Sequence, residues 1–182
     1  WNRMTYEINF IKLHSHRTRT VSGYLIQSTD ATHQFVLAKP VTGESDLSLN
    51  FISPSVKILA SSKQGLLCCL DKSCDVPSLC ICKPTTRQWK QIPNPKIMNF
   101  TAQKVSLLVI STNPLQFKLI RFYRLEGEWG KDVHCEVFDS KAWVWKQKEK
   151  VEVAEHGFLF VVDPGVLVRG VFHWLMHSNN RM

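Results

Sequence analysis

Short apolar runs alternate with polar or proline-containing gaps through the middle of the chain. Residues 66–70 and 79–82 are apolar runs of strand length, and the polar residues 71–78 between them are typical of a loop. Pro84 has no backbone N–H to donate, so the second strand is expected to stop there and turn. Trp89 lies on the extended stretch that follows. The pattern predicts a β-meander.

A hairpin is predicted upstream of this meander. Residues 22–27 and 33–37 are two short strands around a polar loop. Residues 40–55 are rich in turn-forming residues and are predicted to be mainly a connection. Within that connection, one short strand is predicted from the alternating residues Leu47, Leu49 and Phe51.

Further strands are predicted downstream. Residues 105–110 and 117–123 are β-rich runs joined at Asn113-Pro114, a turn-forming pair. Residues 135–147 then combine an apolar run, a polar turn and a run that contains tryptophan. This last segment has the same layout as the end of the central meander.

A constant offset of 56 residues relates these two segments. Trp89-Lys90-Gln91 then aligns with Trp145-Lys146-Gln147, and Cys82 with Phe138. Residues 170–174 are a partial third copy that parallels residues 65–69. A period near fifty residues, built of short strands, predicts an all-β fold: a partial kelch-like β-propeller with meander blades.

Three separated segments resemble the F-box associated domain of plant F-box proteins. They are Gly65-Leu66-Leu67-Cys68 together with Cys82 and Pro84-Thr85-Thr86-Arg87-Gln88-Trp89, the strand at residues 117–123, and residues 163–175, which end in His173-Trp174-Leu175. Gln64 and Lys83 stand where the family most often has asparagine. Because the three segments occur in the family's order, the resemblance spans nearly the whole chain.

The first twenty residues have a different sequence pattern from the rest of the chain. Trp1 precedes by nine residues the segment Phe10-Ile11-Lys12-Leu13-His14, which resembles the tail of an F-box. The resemblance implies that residues 1–20 are a short helical remnant of the F-box and residues 21–182 an F-box associated domain. The chain is then interpreted as a fragment or truncated product lacking most of the F-box. Since partial blades leave strand edges unpaired, residues 1–182 alone are expected to be poorly soluble.

The resemblance implies a substrate receptor of an SCF-type E3 ubiquitin ligase in the cytoplasm, the nucleus or both. A Skp-family adaptor and a cullin complex would bind through the F-box, and the receptor would hold a target whose contact residues the sequence does not give. No catalytic, cofactor-binding or metal-binding residues are predicted, because such a receptor positions its target and performs no bond chemistry. The alternative is a kelch-type scaffold that binds protein or carbohydrate without a ligase role.

The formal net charge of +8 introduces nucleic-acid binding as another alternative. The charge is widely spread, with local clusters at residues 14–19 and at Lys146, Lys148 and Lys150. On a strand these three lysines would share one face, as on a solvated sheet edge. Neither an RNA-binding signature nor a zinc finger accompanies them, so no nucleic-acid partner is predicted. No window approaches eighteen apolar residues, so no membrane partner is predicted either.

Six cysteines raise the question of a metal site or disulfides. Four of them, Cys68, Cys69, Cys80 and Cys82, lie in apolar strand runs, where a free cysteine behaves as a small hydrophobic residue. Cys80 and Cys82 share a strand face, and His173 and His177 have a zinc-like spacing, but no second pair completes a site. Reduced cysteines in the core are the prediction.

Histidine and tryptophan supply the remaining candidates for chemistry. His173 is interpreted as a structural, hydrogen-bonded histidine at the start of an apolar strand, because no nucleophile or carboxylate accompanies it. Trp89, Trp145 and Trp174 recur once per repeat and are predicted to pack within the repeats. Trp129 lies in a polar loop, where it is freer to contact a partner.

Overall fold

The computed structural model describes residues 23–28, 32–37, 49–97, 103–125, 132–149, 151–152, 158–160, 166–173 and 176–178. Regular structure in these residues is antiparallel β-sheet, apart from one turn of 3-10 helix at Pro84–Thr86. The predicted all-β fold is therefore confirmed. The predicted F-box remnant at residues 1–20, together with Trp129 and Trp174, lies outside the described residues.

The chain begins its described structure with the predicted hairpin. Strands β1 (Gly23–Gln27) and β2 (His33–Leu37) pair antiparallel. In the connection that follows, Leu49 and Phe51 do not form the predicted strand, because the N–H of Ile52 donates to the carbonyl of Leu49 and closes a turn. Leu49 is nevertheless buried. Its apolar character therefore reflects anchoring of a turn rather than a strand.

The first meander consists of four strands in sequential order: β3 (Val56–Ser61), β4 (Leu67–Asp71), β5 (Ser78–Lys83) and β6 (Gln88–Gln91). Strand β5 stops at the residue before Pro84, as the missing proline donor predicts. Gly65, with a φ of 73°, lies in the left-handed region at the turn into β4, where glycine is the least strained residue. The predicted meander is confirmed.

The second meander repeats this order with β7 (Gln103–Thr112), β8 (Leu115–Tyr123), β9 (Asp132–Asp139) and β10 (Val144–Gln147). A short strand β11 (Val151–Glu152) also pairs with β9. Towards the C-terminus, β12 (Phe158–Phe160) pairs with β15 (Met176–Ser178), and β13 (Val166–Val168) pairs with β14 (Val171–His173). Each of these sheets is open within the described residues.

The two meanders carry the 56-residue repeat at the level of strand register. Cys82 pairs with Trp89 across β5 and β6, and Phe138 pairs with Trp145 across β9 and β10. The connecting turns match as well, because Arg87 and Trp143, also 56 residues apart, are both left-handed with φ of 52° and 57°. The partial third copy agrees at its turn, where Gly170 has a φ of 81° like Gly65. The predicted repeat is a structural repeat.

Equivalent faces of the two meanders point in the same direction. Cys82 and Trp89 pack into a core that the first meander shares with the hairpin β1–β2. Their counterparts Phe138 and Trp145 pack into a second core, between the two meanders. The meanders are therefore stacked head to tail: each packs the same face on the element that precedes it in the chain, as in repeat-built proteins. The buried members of this inter-meander core are Ala60, Leu66, Cys68, Leu70, Leu79, Ile81, Ile92, Val105, Leu107, Phe117, Leu119 and Phe138.

The side chain of Gln27 attaches the hairpin to the first meander. Its Oε1 accepts the N–H of Ile58 at 3.1 Å, and its Nε2 donates to the carbonyl of Val56 at 3.2 Å. His33 Nε2 lies 3.0 Å from the same Val56 oxygen. Since β3 is the edge strand of its sheet, these contacts satisfy backbone groups that would otherwise be open to another chain.

Candidate recognition surface

Two tryptophans of the second meander hold it against the outer strand of the first. Trp145 Nε1 donates to the carbonyl of Pro93 at 2.7 Å. Lys90 Nζ lies 3.7 Å from the centroid of the Trp143 ring, within the range of a cation–π interaction. These two contacts place the turn at residues 140–143 next to β6. We call this turn, with the loops and turns beside it, the candidate recognition surface, because connections on a rigid sheet scaffold usually carry binding.

The tryptophans serve the packing role predicted for them where they are described. Trp145 lies 5.4 Å from Phe138 between ring centroids, and Trp89 lies 6.1 Å from Phe51 in an edge-on arrangement. Both indoles are partly buried against their respective cores. Trp143, which the sequence did not single out, makes the closer edge-on contact with Phe138, at 5.2 Å.

A buried polar network lies on the same face of the second meander, beside its apolar core. Arg121 Nη1 donates to Glu136 Oε2 at 3.1 Å, and Tyr123 Oη donates to Glu136 Oε1 at 3.0 Å. The Arg121 guanidinium lies 4.4 Å from the Tyr123 ring centroid, and that ring stacks on His134 at 5.2 Å. The Arg121 residue is 0% exposed. Sequence reasoning did not identify this network.

The network is arranged for structure rather than for proton transfer. Burial lowers the pKa of Arg121, while the adjacent Glu136 carboxylate opposes that shift. Burial also raises the pKa of Tyr123. Each carboxylate oxygen of Glu136 accepts a hydrogen bond from a neighbour, so the charge is matched within the protein. A buried glutamate paired in this way is poorly placed to act on a ligand.

His173 differs from its predicted position. It is the last residue of β14 rather than the start of a strand, and it is exposed. The reason is the tight turn at Arg169 and Gly170, which divides the apolar run into two short strands. His177 lies in β15, which pairs with β12, so the two histidines belong to different two-stranded sheets. In the part of the chain that is described, no group of three His, Cys, Asp or Glu residues is placed to hold a metal ion.

The strand that was predicted to carry Lys146, Lys148 and Lys150 is shorter than expected. Strand β10 ends at Gln147, so only Lys146 of the three lysines lies in it. Lys148 follows the strand, and its N–H donates to the carbonyl of Cys135 at 2.8 Å. Lys146 and Lys148 are both exposed beside an edge strand, which agrees with a solvated sheet edge. Lys150 and the basic residues 14–19 lie outside the described residues.

All six cysteines are free thiols, and five of them are buried. Burial raises the pKa of Cys82 to about 12 and raises the pKa of Cys68, Cys69, Cys80 and Cys135 as well. Since the thiolate is the reactive form, these thiols are protected both by burial and by protonation. The prediction that the four strand cysteines are reduced core residues is confirmed.

We expect thiol modification to distinguish Cys74, the exposed cysteine, from the other five. Titration of the native chain at pH 8 with a chromogenic disulfide reagent should release about one equivalent promptly, and the denatured chain should release six. In the Cys74→Ser variant the prompt equivalent should disappear. Prompt reaction of several thiols in that variant would show that the strands of the first meander are not packed as described.

The same thiols predict that stability declines at alkaline pH. In the unfolded chain they ionise near a pKa of about 8.5, whereas burial keeps them protonated in the folded chain. Their raised pKa therefore contributes stability below about pH 8.5, and this contribution is lost as the pH rises further. The urea midpoint should be lower at pH 9.5 than at pH 7.5. An unchanged or higher midpoint would contradict the packing of these thiols.

Within the described residues, no helix has the length and apolar character needed to cross a membrane. No protein-family profile and no solved structure matches the chain.

Two curated proteins of Arabidopsis thaliana are similar in sequence. F-box protein At5g41720 is 34% identical over 143 residues, which cover 72% of this chain and 76% of that protein. F-box protein At5g49610 is 28% identical over 166 residues, which cover 84% of this chain but only 44% of that protein. The chain thus spans less than half the length of the second relative. The level of identity and the coverage of the first relative show that the chain belongs to the family of plant F-box proteins.

Proposed function

We propose that the chain is the target-binding part of a substrate receptor in an SCF-type E3 ubiquitin ligase. The observation that carries the proposal is the 34% identity to an F-box protein over 76% of that protein's length. F-box proteins of this class dock a Skp-family adaptor, and through it a cullin complex, with the F-box. The remainder of the receptor holds the protein to be ubiquitinated.

The described residues support a binding role without bond chemistry. Two meanders share one core and present short turns and loops on a rigid scaffold. Glu136, the buried carboxylate of the second meander, is engaged by Arg121 and Tyr123 rather than facing a cleft. We assign the chain the role of holding a target in place while the associated ligase machinery transfers ubiquitin.

The fold proposed for residues 21–182 is an F-box associated domain built as part of a kelch-like propeller. Its support is the head-to-tail stacking of two meanders with matching register 56 residues apart. In a propeller, each blade packs one face on the blade before it and the other on the blade after it. The hairpin β13–β14, with its glycine turn, would begin a third blade. Residues 1–20 would end the F-box.

An adaptor capture experiment tests the ligase role. A Skp-family adaptor should retain the full-length protein, together with the cullin, from a mixture of purified components. Residues 1–182, which would contain only the end of the F-box, should be retained far less. Tagged full-length protein should be found in the cytoplasm, the nucleus or both.

Failure of the full-length protein to bind any Skp-family adaptor would contradict the ligase role. In that case the kelch-type scaffold becomes the better description. Capture of residues 1–182 as efficient as that of the full-length protein would instead overturn the assignment of residues 1–20 as a mere remnant.

A further inference from the structure

The connections of the first meander alternate between the two ends of its sheet. Because neighbouring strands are antiparallel, the β3–β4 turn at residues 62–66 and the β5–β6 turn at residues 84–87 lie at the same end. We call this the turn end. The β4–β5 loop at residues 72–77 lies at the opposite end, here called the loop end, together with residues 92–97 that follow β6.

Charge is divided unevenly between these two ends. Asp71 and Asp75 are the acidic residues of the first meander, and both lie at the loop end, where Lys57, Lys72 and Lys96 leave a formal charge of only +1. The turn end has no acidic residue between positions 56 and 97. Its basic residues are Lys63, Lys83 and Arg87. The turn end is therefore strongly basic, while the loop end is close to neutral.

The second meander has the same bias at its turns. Lys118, Lys141 and Lys146 lie at or beside the β7–β8 and β9–β10 turns, where Asp139 is the acidic residue. The Asp139 carboxylate accepts the N–H of Lys141 at 2.9 Å. That backbone hydrogen bond, and then Lys118 and Lys146, hold the pKa of Asp139 below its usual range. Asp139 is thus engaged locally and leaves a net positive surface.

The basic β9–β10 turn of the second meander lies against strand β6 rather than against the turn end. Lys90 of β6 lies 3.7 Å from the ring of Trp143, which is in the same turn as Lys141, and Trp145 donates to the carbonyl of Pro93 at the loop end. The basic residues of the turn end are therefore a separate group.

We infer that the turn end binds an acidic segment of a partner protein. This inference rests on the proposed receptor function and gives its target a chemical class: an exposed stretch rich in aspartate and glutamate. A concentration of like charge without local compensation attracts a partner of opposite charge and raises its rate of association. The exposed side chains available to it include Lys63 and Arg87.

The surroundings of the basic residues favour a peptide over a nucleic acid. Proteins that bind single strands combine positive charge with aromatic rings on which the bases stack. The rings near the turn end are already engaged, since Trp89 packs edge-on against Phe51 and Arg87 lies 6.0 Å from the centroid of the Phe51 ring. Among the described residues, this surface therefore offers charge without a ready stacking platform.

A pair of charge-matched variants of the full chain tests the inference. The turn-end variant is Lys63→Glu/Arg87→Glu, and the loop-end control is Lys57→Glu/Lys72→Glu. All four residues are exposed, and two charge reversals take the net charge from +8 to +4 in both variants. Binding of a fluorescein-labelled oligoglutamate peptide is measured by fluorescence anisotropy at several salt concentrations. A peptide of alternating glycine and serine serves as the neutral probe.

We expect the turn-end variant to bind oligoglutamate at least about tenfold more weakly than the unmodified chain, and the loop-end control within about twofold. Equal weakening in both variants would show attraction to total charge and overturn the inference, as would no binding by the unmodified chain. Displacement of the peptide by a single-stranded oligonucleotide that binds more tightly would assign the surface to nucleic acid. None of these outcomes involves adaptor capture, so the receptor proposal stands or fails separately.

Discussion

Replacing Glu136 with glutamine is expected to lower the free energy of unfolding by about 3–5 kcal/mol, because it leaves the Arg121 guanidinium charged in the interior. Arg121 is 0% exposed and donates to Glu136 at 3.1 Å. Glutamine keeps the length of the side chain and one acceptor oxygen. The decrease in the free energy of unfolding therefore reports the removal of the charge rather than a change in shape. Urea denaturation followed by tryptophan fluorescence gives the change directly.

Two further variants make this prediction specific. Glu149→Gln removes the charge of an exposed glutamate just beyond β10 and should change stability by no more than about 0.5 kcal/mol. Arg121→Met/Glu136→Leu removes both charges of the buried pair, and should recover most of the stability lost in Glu136→Gln. A Glu136→Gln chain as stable as the unmodified one would mean that the buried charge of Arg121 does not depend on Glu136, and would contradict the prediction.

The strands could be predicted because the evidence for them is local. The four-residue apolar run 79–82 predicts β5, and Pro84 determines where it ends, since proline cannot donate to the sheet. The tryptophan spacing revealed the repeat, because side chains at equivalent positions must fill the same place in each meander. Leu49 and Phe51 show the limit of this reasoning, since an alternating pattern also arises in a buried turn.

The contacts between elements could not be predicted in the same way. Gln27 bonds to Ile58, 31 residues away, and nothing local distinguishes it from an exposed glutamine. The Lys90–Trp143 contact likewise depends on how the two meanders stack. The burial of Arg121, in contrast, could have been predicted from the sequence. Arg121 continues the every-second-residue pattern of the buried Phe117 and Leu119. A charged residue in that pattern predicts a buried partner.

The stacking of the meanders also determines whether the chain unfolds as one unit. The core between them contains side chains from both sheets, so neither meander keeps its apolar face covered without the other. Phe138 lies within it, with ring centroids 6.1 Å from Phe117 and 5.2 Å from Trp143. The described packing therefore makes the two meanders depend on each other for stability.

Phe138→Ala is accordingly expected to cost about 3–5 kcal/mol, the range for removing a fully buried phenylalanine and leaving a cavity. Phe138→Leu, which refills most of the volume, should cost less than about 1.5 kcal/mol. Because the core is shared, Phe138→Ala should also speed hydrogen exchange in β4 and β5 of the first meander, not only in β8 and β9. Faster exchange confined to the second meander would show two independently stable sheets and would contradict a common core.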